Sequence, residues 1–383
     1  MVNIPEEKNP FTRDFGTVTK SYIVRTVQQD DIVRSFVDEI TDEKAFFIVG
    51  QRGFGKSSLL RAAKEDISQR DNWIVIELRS NNDNLIHELA AALYAETILK
   101  AKFVDLELDF SILGIGVKIN SKSAVTISSD EVAVSKMLQV VKKLGMKVLV
   151  VIDEISNSAG LRDFCAMFNV CKGDGLPLYL LMDGLYKNTT ALENVKDLTF
   201  LKRVPKLEVG SLDHIEMFNV YKRLLHLESG DNQIFAERLC KITNGYPYAF
   251  QLAGYYTWLW LRKDGTIFDD YNSFENRLLD ELDRNLNSYV YSTIWTELSP
   301  TEQDILSIMA CFDLNKVLDI RNKYMEIFPD RAEMTSGNFG KYRDKLLKFS
   351  ILKSSSNTYI DFVLPRFNLY AIAYRNERIP FGE

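Results

Sequence analysis

The feature that most constrains the fold is a glycine-rich octapeptide at residues 50–57, which follows an apolar run and precedes a helical pattern. Its sequence, GQRGFGKS, satisfies the pattern G-x-x-x-x-G-K-[ST] of phosphate-binding P-loops. The preceding AFFIVG is short, apolar and rich in β-branched and aromatic residues, which predicts a buried strand. From Lys56 onward, apolar residues recur on one helical face. A strand, a glycine loop and a helix in this order predict an α/β fold with a parallel sheet.

Each part of this loop has a physical role in binding ATP with Mg²⁺. Gly53 and Gly55 allow the backbone to curl, so that successive N–H groups face phosphate oxygens, and the next helix adds its positive N-terminus. We expect Lys56 to reach the β- and γ-phosphates and the Ser57 hydroxyl to bind Mg²⁺. The expected nucleotide-binding residues of the loop are Gly50, Gln51, Arg52, Gly53, Phe54, Gly55, Lys56, Ser57 and Ser58.

A second motif, VLVVIDE at residues 148–154, is an apolar strand that ends in two carboxylates. We expect Asp153 to lie beside Mg²⁺ as its second protein ligand, and Glu154 to polarise a water toward the γ-phosphate. The alternative is a strand that ends in a helix-capping aspartate and a solvated glutamate. The P-loop about a hundred residues earlier favours the catalytic interpretation, so the sequence predicts an ATPase.

Further buried strands are predicted at residues 73–78, 176–182 and 204–209, with helices between them. We expect the strand at 176–182 to lie between the P-loop strand and the Asp153 strand. Its tip carries Asp183, for which a γ-phosphate-sensing role and a turn role before Gly184 both remain open. Arg203 precedes the last strand, where it either completes a neighbouring subunit's site or forms an ordinary ion pair.

The pattern divides the chain into five segments. They are an N-terminal strap at 1–30, a P-loop core at 31–209 with a β-hairpin insertion near 109–127, an α-helical lid at 210–270, a connector helix at 271–297 and a winged helix at 298–383. The winged helix-turn-helix is predicted from three helical patterns followed by a polar turn between two extended stretches. The insertion carries Lys118 and Lys122 as its cations, and we expect it to pack against its own subunit.

The bulk composition excludes several classes of function. The formal net charge of −6 provides no global attraction to nucleic acid or to an anionic membrane. Three histidines and four scattered cysteines are too few, and wrongly spaced, for a zinc cluster. Since no window approaches eighteen apolar residues and the N-terminus has no apolar signal segment, the sequence predicts a cytoplasmic protein without membrane association.

A local basic stretch nevertheless lies in the third helix of the predicted winged helix. Between residues 341 and 353 there are five cations against Asp344, a balance of 5 − 1 = +4. If this helix enters a major groove, the residues expected to contact double-stranded DNA are Ser336, Asn338, Lys341, Lys345 and Lys348. The alternatives are an ordinary solvated helix face and a protein-docking module.

The sequence resembles the AAA+ and STAND-like P-loop ATPases, in particular bacterial AAA-family ATPases related to archaeal-type ATPases and to origin-recognition initiators. The resemblance is carried by NPFTRDFG, GQRGFGKS, VVIDE, GLPLYLL, FLKRVP, TNGYPYAFQLAGYYTW and LSPTEQDIL, which together span nearly the whole chain. It implies that adenine is contacted by Tyr246 and Pro247. These residues lie in a GYP segment that is similar to the GxP motif of STAND proteins. The same segment also fits a helix N-terminus with proline at its first position. Tyr248 stands where many AAA+ lids carry a phosphate-sensing arginine, which favours a nucleotide-holding switch.

Together these features predict an ATP-driven conformational switch whose winged helix contacts DNA or a protein partner, with homo-oligomers forming on ATP binding. Two alternatives remain open: an oligomeric DNA-acting motor or loader, and a scaffold that holds ATP without hydrolysing it.

Overall fold

A computed structural model describes residues 8–14, 19–38, 43–105, 108–109, 125–126, 129–227, 230, 232–264, 271–331, 334–356 and 358–381. These residues form two compact units. One comprises Val24–Val49 and Lys56–Val209, and we call it the sheet unit. The other comprises the described parts of Met1–Ile23 and Gly210–Glu383 together with Gly50–Gly55, and we call it the helical unit. The division along the chain falls inside the P-loop, directly before Lys56.

The sheet unit alternates strands and helices. Its strands are β1 (Ala45–Val49), β2 (Trp73–Arg79), β3 (Leu108–Asp109), β4 (Val125–Thr126), β5 (Lys147–Asp153), β6 (Leu178–Gly184) and β7 (Lys206–Glu208). Its helices are α1 (Thr26–Val37), α2 (Lys56–Ser68), α3 (Leu85–Ala95), α4 (Thr97–Asp105), α5 (Asp130–Lys143), α6 (Ala159–Gly173) and α7 (Tyr186–Glu193), followed by a 3₁₀ segment, Lys196–Arg203.

Five strands of this unit form a parallel sheet in the order β2-β5-β6-β1-β7. Every residue of β1 and β6 is buried, as expected for central strands of a parallel sheet covered on both faces. The prediction that β6 lies between β1 and β5 is confirmed. Because the strands are parallel, the carboxyl ends of β1, β5 and β6 meet at one edge of the sheet.

The insertion predicted near 109–127 lies mostly outside the described residues, Lys118 and Lys122 among them. Its described flanks are β3 and β4, which pair in parallel, with Leu108 opposite Val125. This pairing joins the two ends of the insertion, and the antiparallel hairpin predicted within it stays a prediction.

The helical unit has helices through its first half and ends in a winged helix. Its helices are α8 (His214–Leu224), α9 (Asn232–Thr243), α10 (Pro247–Asp264), α11 (Tyr271–Leu286), α12 (Ser292–Glu297), α13 (Pro300–Cys311), α14 (Val317–Ile327), α15 (Ser336–Lys348) and α16 (Phe367–Ala373). A π-helical turn, Asn287–Tyr291, joins α11 to α12, so the connector is continuous but not regular. The antiparallel strands β8 (Leu352–Ser354) and β9 (Ile360–Phe362) form the wing, and the predicted winged-helix architecture is confirmed.

The described residues of the N-terminal strap up to Ile23 belong to this unit, whereas the end of the predicted strap lies in the sheet unit, where α1 begins at Thr26. Phe11 is buried, with its ring centroid 5.9 Å from those of Tyr221 and Phe250. A Cβ at Gly254 would lie 2.3 Å from the Phe11 ring, so glycine is required where the strap crosses α10. Among the described helices, none combines the length and the apolar composition needed to cross a bilayer.

Candidate nucleotide site

The turn of the P-loop has the curled backbone that a phosphate-binding nest requires. Gly53 has φ +79° and Gly55 has φ +86°, which is the left-handed region that favours glycine. The Gln51 side-chain oxygen accepts the N–H of Arg52 at 2.8 Å, and the N–H of Phe54 points back at the Gln51 carbonyl at 3.4 Å. The helix α2 begins at Lys56, so the order of loop and helix predicted from the sequence is present.

Within the helical unit, Tyr246 lies directly against this turn. Its hydroxyl donates to the Arg52 carbonyl at 2.9 Å, and its ring meets Phe54 edge to face at 5.1 Å. A Cβ at Gly53 would lie 1.9 Å from the Tyr246 hydroxyl oxygen, so any other residue at position 53 would displace the ring. Burial raises the pKa of Tyr246, which keeps the phenol protonated and therefore a donor.

The GYP segment starts a helix, as one interpretation of the sequence expected. Pro247 is the first residue of α10, where its missing N–H costs nothing. The Tyr246 ring is fully buried against the P-loop turn, and Tyr248 is also buried. The contact of Tyr246 and Pro247 with adenine stays a prediction.

Within the sheet unit, three side-chain oxygens converge where β5 and β6 end and α2 begins. The Ser57 hydroxyl oxygen lies 2.9 Å from Asp153 Oδ1 and 3.2 Å from Asp183 Oδ2. Because a hydroxyl has one proton, it donates to one of these carboxyl groups at a time. Two carboxyl groups that share one hydroxyl are therefore held within a few ångströms of each other.

Asp183 is fully buried, although it is acidic and lies next to Asp153. Burial first, and then the charge of Asp153, raise the pKa of Asp183 to about 8, so at neutral pH it is largely a neutral acid. Its Oδ1 accepts the N–H of Glu154 at 2.7 Å. Asp183 is thus part of the site and not an exposed turn residue, which the sequence had left open.

The Ser57 and Asp153 oxygens fit a magnesium ion. Mg²⁺ prefers hard oxygen ligands, keeps several waters and uses few protein groups when phosphates supply the rest. Ser57 and Asp153 are the pair predicted from the sequence, whereas Asp183 is buried behind them and bound to the Glu154 N–H, so it is not needed as a metal ligand. Among the described residues, no group of three or more His, Cys, Asp or Glu side chains is arranged to hold a metal ion by itself, so this site would rely on phosphate oxygens and water for its remaining ligands.

Glu154 follows β5 with its side chain exposed. Its backbone has φ +54°, an uncommon conformation for a residue other than glycine, asparagine or aspartate. Arg203 ends the 3₁₀ segment before β7 and is exposed. It makes no ion pair with any other described residue, so its predicted role at a neighbouring subunit stays a prediction.

The basic stretch on α15 is less uniform than the sequence suggested. Lys341 and Lys348 are exposed, and Thr335 caps the helix by accepting the N–H of Asn338 at 3.2 Å. Lys345, however, lies 2.6 Å from the carboxylate of Glu302, which is fully buried and also completes the capping box of α13. Lys345 is therefore engaged in an ion pair within its own unit. Reversing it to glutamate would place a second carboxylate beside a buried one.

Asp183 makes the stability of the folded chain depend on pH in a predictable direction. Its ordinary pKa of 3.8 is raised to about 8, so between these values the folded chain holds a proton that the unfolded chain has lost. Stability then falls as pH rises, by up to about 1.4 kcal/mol per pH unit. Asp183→Asn removes this dependence while keeping the shape of the side chain.

We therefore expect the Asp183→Asn variant to exceed wild type in unfolding free energy by a margin that grows from pH 5 to pH 7.5. The measurement is urea unfolding with EDTA and without nucleotide. A margin that is the same at every pH would contradict a neutral, buried Asp183.

No protein-family model matches the sequence, and no curated protein sequence does. Solved structures do resemble it. The ORC2 protein of Aeropyrum pernix, in its ADPNP–ADP complexes, is 13% identical over 94% of this chain and 95% of its own, with a TM-score of 0.60. Cdc6p of Pyrobaculum aerophilum is 13% identical over 94% of this chain and 98% of its own, with a TM-score of 0.44. The A. pernix ORC1 protein in complex with DNA is 12% identical over 94% of this chain and 94% of its own, with a TM-score of 0.42. The likeness to ORC2 bears out, at the level of the fold, the predicted relation to origin-recognition proteins.

Proposed function

We propose that this chain, which has the AAA+ fold of origin-recognition proteins, binds ATP with Mg²⁺ and hydrolyses it. The observation that carries the proposal is the convergence of Ser57, Asp153 and Asp183 directly after a complete P-loop. The similar ORC2 protein binds adenine nucleotides, since its structure was solved in ADPNP–ADP complexes. The alternative of a scaffold that only holds ATP is disfavoured by Glu154, an exposed carboxylate that directly follows the acid expected at the metal.

The roles follow from the chemistry of the groups. We propose that the loop residues 50–58 hold the phosphates, with Lys56 supplying the cation for the β- and γ-phosphates. Ser57 and Asp153 would hold Mg²⁺, which when bound neutralises charge that develops on the phosphates. Glu154 would accept a proton from the attacking water. Magnesium-dependent phosphate release, with Glu154→Gln as its control, tests these assignments together.

The proposed switch runs through the turn that precedes α10. Tyr246 donates to the P-loop carbonyl of Arg52, and two residues earlier the Asn244 amide donates to the Val363 carbonyl, at 2.9 Å in both cases. Val363 directly follows the wing strand β9. One short turn of the helical unit thus touches both the P-loop and the wing. We infer that a conformational change of the P-loop on nucleotide exchange is transmitted through this turn to the winged helix.

The partner proposed for the winged helix is double-stranded DNA. The proposed contacts are made by Lys341 and Lys348 of α15 and not by Lys345. Lys341 and Lys348 are seven residues apart, two helical turns, and so lie on one side of the helix. Ser336, in the first turn, is exposed on the same helix. The neutral overall composition of the domain and the acidic chain oppose DNA binding at longer range, which makes a protein partner the alternative outcome.

Reversing Lys341 and Lys348 together to glutamate should weaken duplex binding. The slope of log affinity against log salt concentration should become shallower, by the equivalent of about two phosphate contacts. The measurement is fluorescence anisotropy with a labelled duplex at several salt concentrations, with ADP or with ATP. The matched control reverses Lys142 and Lys143, two exposed lysines at the end of α5. Equal losses in both double variants, or no duplex binding by wild type at low salt, would leave the winged helix as a protein-docking module.

We also propose that the chain assembles into homo-oligomers on ATP binding and that Arg203 completes a neighbouring subunit's site. Arg203→Ala should then lower ATP turnover without weakening ATP binding. Mixing the Arg203→Ala and Lys56→Ala variants should restore part of the activity, because some interfaces would combine an intact P-loop with an intact arginine. A wild type that is active and strictly monomeric at assay concentrations would rule out this role.

A further inference from the structure

The chain bends sharply directly after β5, and the bend sets the direction of Glu154. Asp153 is still part of the strand, whereas Glu154 has φ +54° and the next residue, Ile155, is fully buried. A glutamate in the left-handed region is strained, and such strain persists where the surroundings over-determine the backbone. The contacts that impose this conformation come from β6 and α7.

Asp183 supplies two of these contacts. Its side-chain Oδ1 accepts the N–H of Glu154 at 2.7 Å, and its backbone carbonyl accepts the N–H of Ile155 at 2.9 Å. Successive amides of the bend are thus bound to one residue of the neighbouring strand. Neither contact depends on the side chain of Glu154, which remains exposed and available to other groups.

The other side of the bend is fixed by packing and by one more hydrogen bond. The Asn188 amide donates to the Ile155 carbonyl at 2.9 Å. A Cβ at Gly184 would lie 2.6 Å from the Ile155 side chain, so this glycine allows Ile155 to pack against the end of β6. Because Asp183 Oδ1 is a side-chain atom, its contact with the Glu154 N–H can be removed while the backbone bond between Ile155 and Asp183 stays.

The two oxygens of Asp183 have partners inside the sheet unit. Oδ1 accepts from Glu154 and Oδ2 lies 3.2 Å from the Ser57 hydroxyl, while the residue has no exposed surface. A carboxyl group in these surroundings is poorly placed to contact a phosphate itself. It links the first turn of α2, where Ser57 lies, to the residue that follows the Asp153 strand.

We propose that Asp183 is a positioning residue, which holds the backbone of Glu154 in its bent conformation and so aims the Glu154 carboxylate at the attacking water. The inference rests on the proposed hydrolysis of ATP and assigns Asp183 a role that does not require contact with the nucleotide. What Asp183 must supply is an acceptor for the Glu154 N–H, not a negative charge. Ser57 keeps its shorter bond to Asp153 without it, so nucleotide binding does not depend on Asp183.

Two substitutions distinguish the role of Asp183 as a hydrogen-bond acceptor from a role of its negative charge. Asp183→Asn keeps the shape and the acceptor oxygen, whereas Asp183→Leu keeps the shape and removes both oxygens. Because a displacement of a reacting group by about 1 Å can cost about 100-fold in rate, we expect kcat to fall about 100-fold for Leu, with KM within about threefold. We expect the Asn variant to stay within about fivefold of wild type in both constants. If the Leu variant does not fold, Asp183→Ala removes the same acceptor.

Hydrogen–deuterium exchange provides a readout that does not depend on activity. The amide of Glu154 should exchange faster in the Leu or Ala variant, and as slowly as in wild type in the Asn variant, in protein without nucleotide. An Asn variant as inactive as Leu with its amide still protected would show that the charge matters, and would overturn the proposal. Unchanged exchange in the Leu or Ala variant would overturn it too. If wild type does not hydrolyse ATP, the proposed function fails, and the exchange result alone then decides whether Asp183 holds the bend.

Discussion

Replacing Lys56 with alanine is expected to weaken ATP binding by at least about 100-fold, since hydrogen bonds to charged groups contribute about 1.5–3 kcal/mol each. Lys56 is the first residue of α2 and is buried beside the loop that would hold the phosphates. Without its ammonium group, the γ-phosphate loses the charged hydrogen bond that Lys56 is proposed to provide. The measurement is a direct titration with a fluorescent ATP analogue in the presence of Mg²⁺.

The matched control for this experiment is Lys64→Ala, on the same helix. Lys64 forms an ion pair with Glu77 at 2.6 Å, and we expect its removal to leave ATP binding unchanged. Equal affinities of wild type and the Lys56→Ala variant would contradict the assignment of the P-loop. Equal losses in both variants would point to a general effect of charge rather than to the site.

Replacing Glu154 with glutamine is expected to leave ATP bound and to slow its hydrolysis by about 100-fold or more, the usual effect of losing a general base. The substitution keeps the shape of the side chain and the backbone N–H that Asp183 accepts. It removes the group that takes the proton of the attacking water. Phosphate release under saturating ATP measures the rate, and the titration used for Lys56 measures binding.

Glu208 provides the control for this variant, because it is an exposed carboxylate at the end of β7 in the same sheet. Glu208→Gln should hydrolyse ATP at the wild-type rate. A Glu154→Gln variant that also keeps the wild-type rate would exclude Glu154 as the base while leaving ATP binding intact.

Much of the sheet unit could be predicted from the sequence, because its signals are local. The apolar runs that form β1, β5 and β6 stand out, and the P-loop fixes what lies on either side of β1. The position of β6 between β1 and β5 followed from the type of fold and is confirmed. Gly53 and Gly55 were expected to let the backbone curl, and both have positive φ values.

What the sequence did not predict depends on contacts between distant residues. The environment of Asp183 is created by Asp153, Ser57 and Glu154, which lie on two other elements, so no local pattern distinguishes it from a turn residue. Lys345 looked like part of a free basic face, but its partner Glu302 is 43 positions earlier.

Short irregular elements in the helical unit were also missed. The π-helical turn Asn287–Tyr291 interrupts the connector helix, and α16 follows the wing. A single-turn insertion and a seven-residue helix carry too few periodic residues to be recognised from spacing alone. Packing in the folded unit supplies the stabilisation that their own sequences lack.

We propose that this chain cleaves bound ATP, with Lys56 binding the phosphates and Glu154 acting as the base. In a single-turnover experiment, labelled ATP and Mg²⁺ are mixed with excess protein, and the bound nucleotide is identified after quenching at intervals. We expect wild type to convert bound ATP to ADP, Glu154→Gln to retain intact ATP and Lys56→Ala to bind much less of either nucleotide. Intact ATP on wild-type protein after long incubation, with and without duplex DNA, would show that the chain does not hydrolyse ATP.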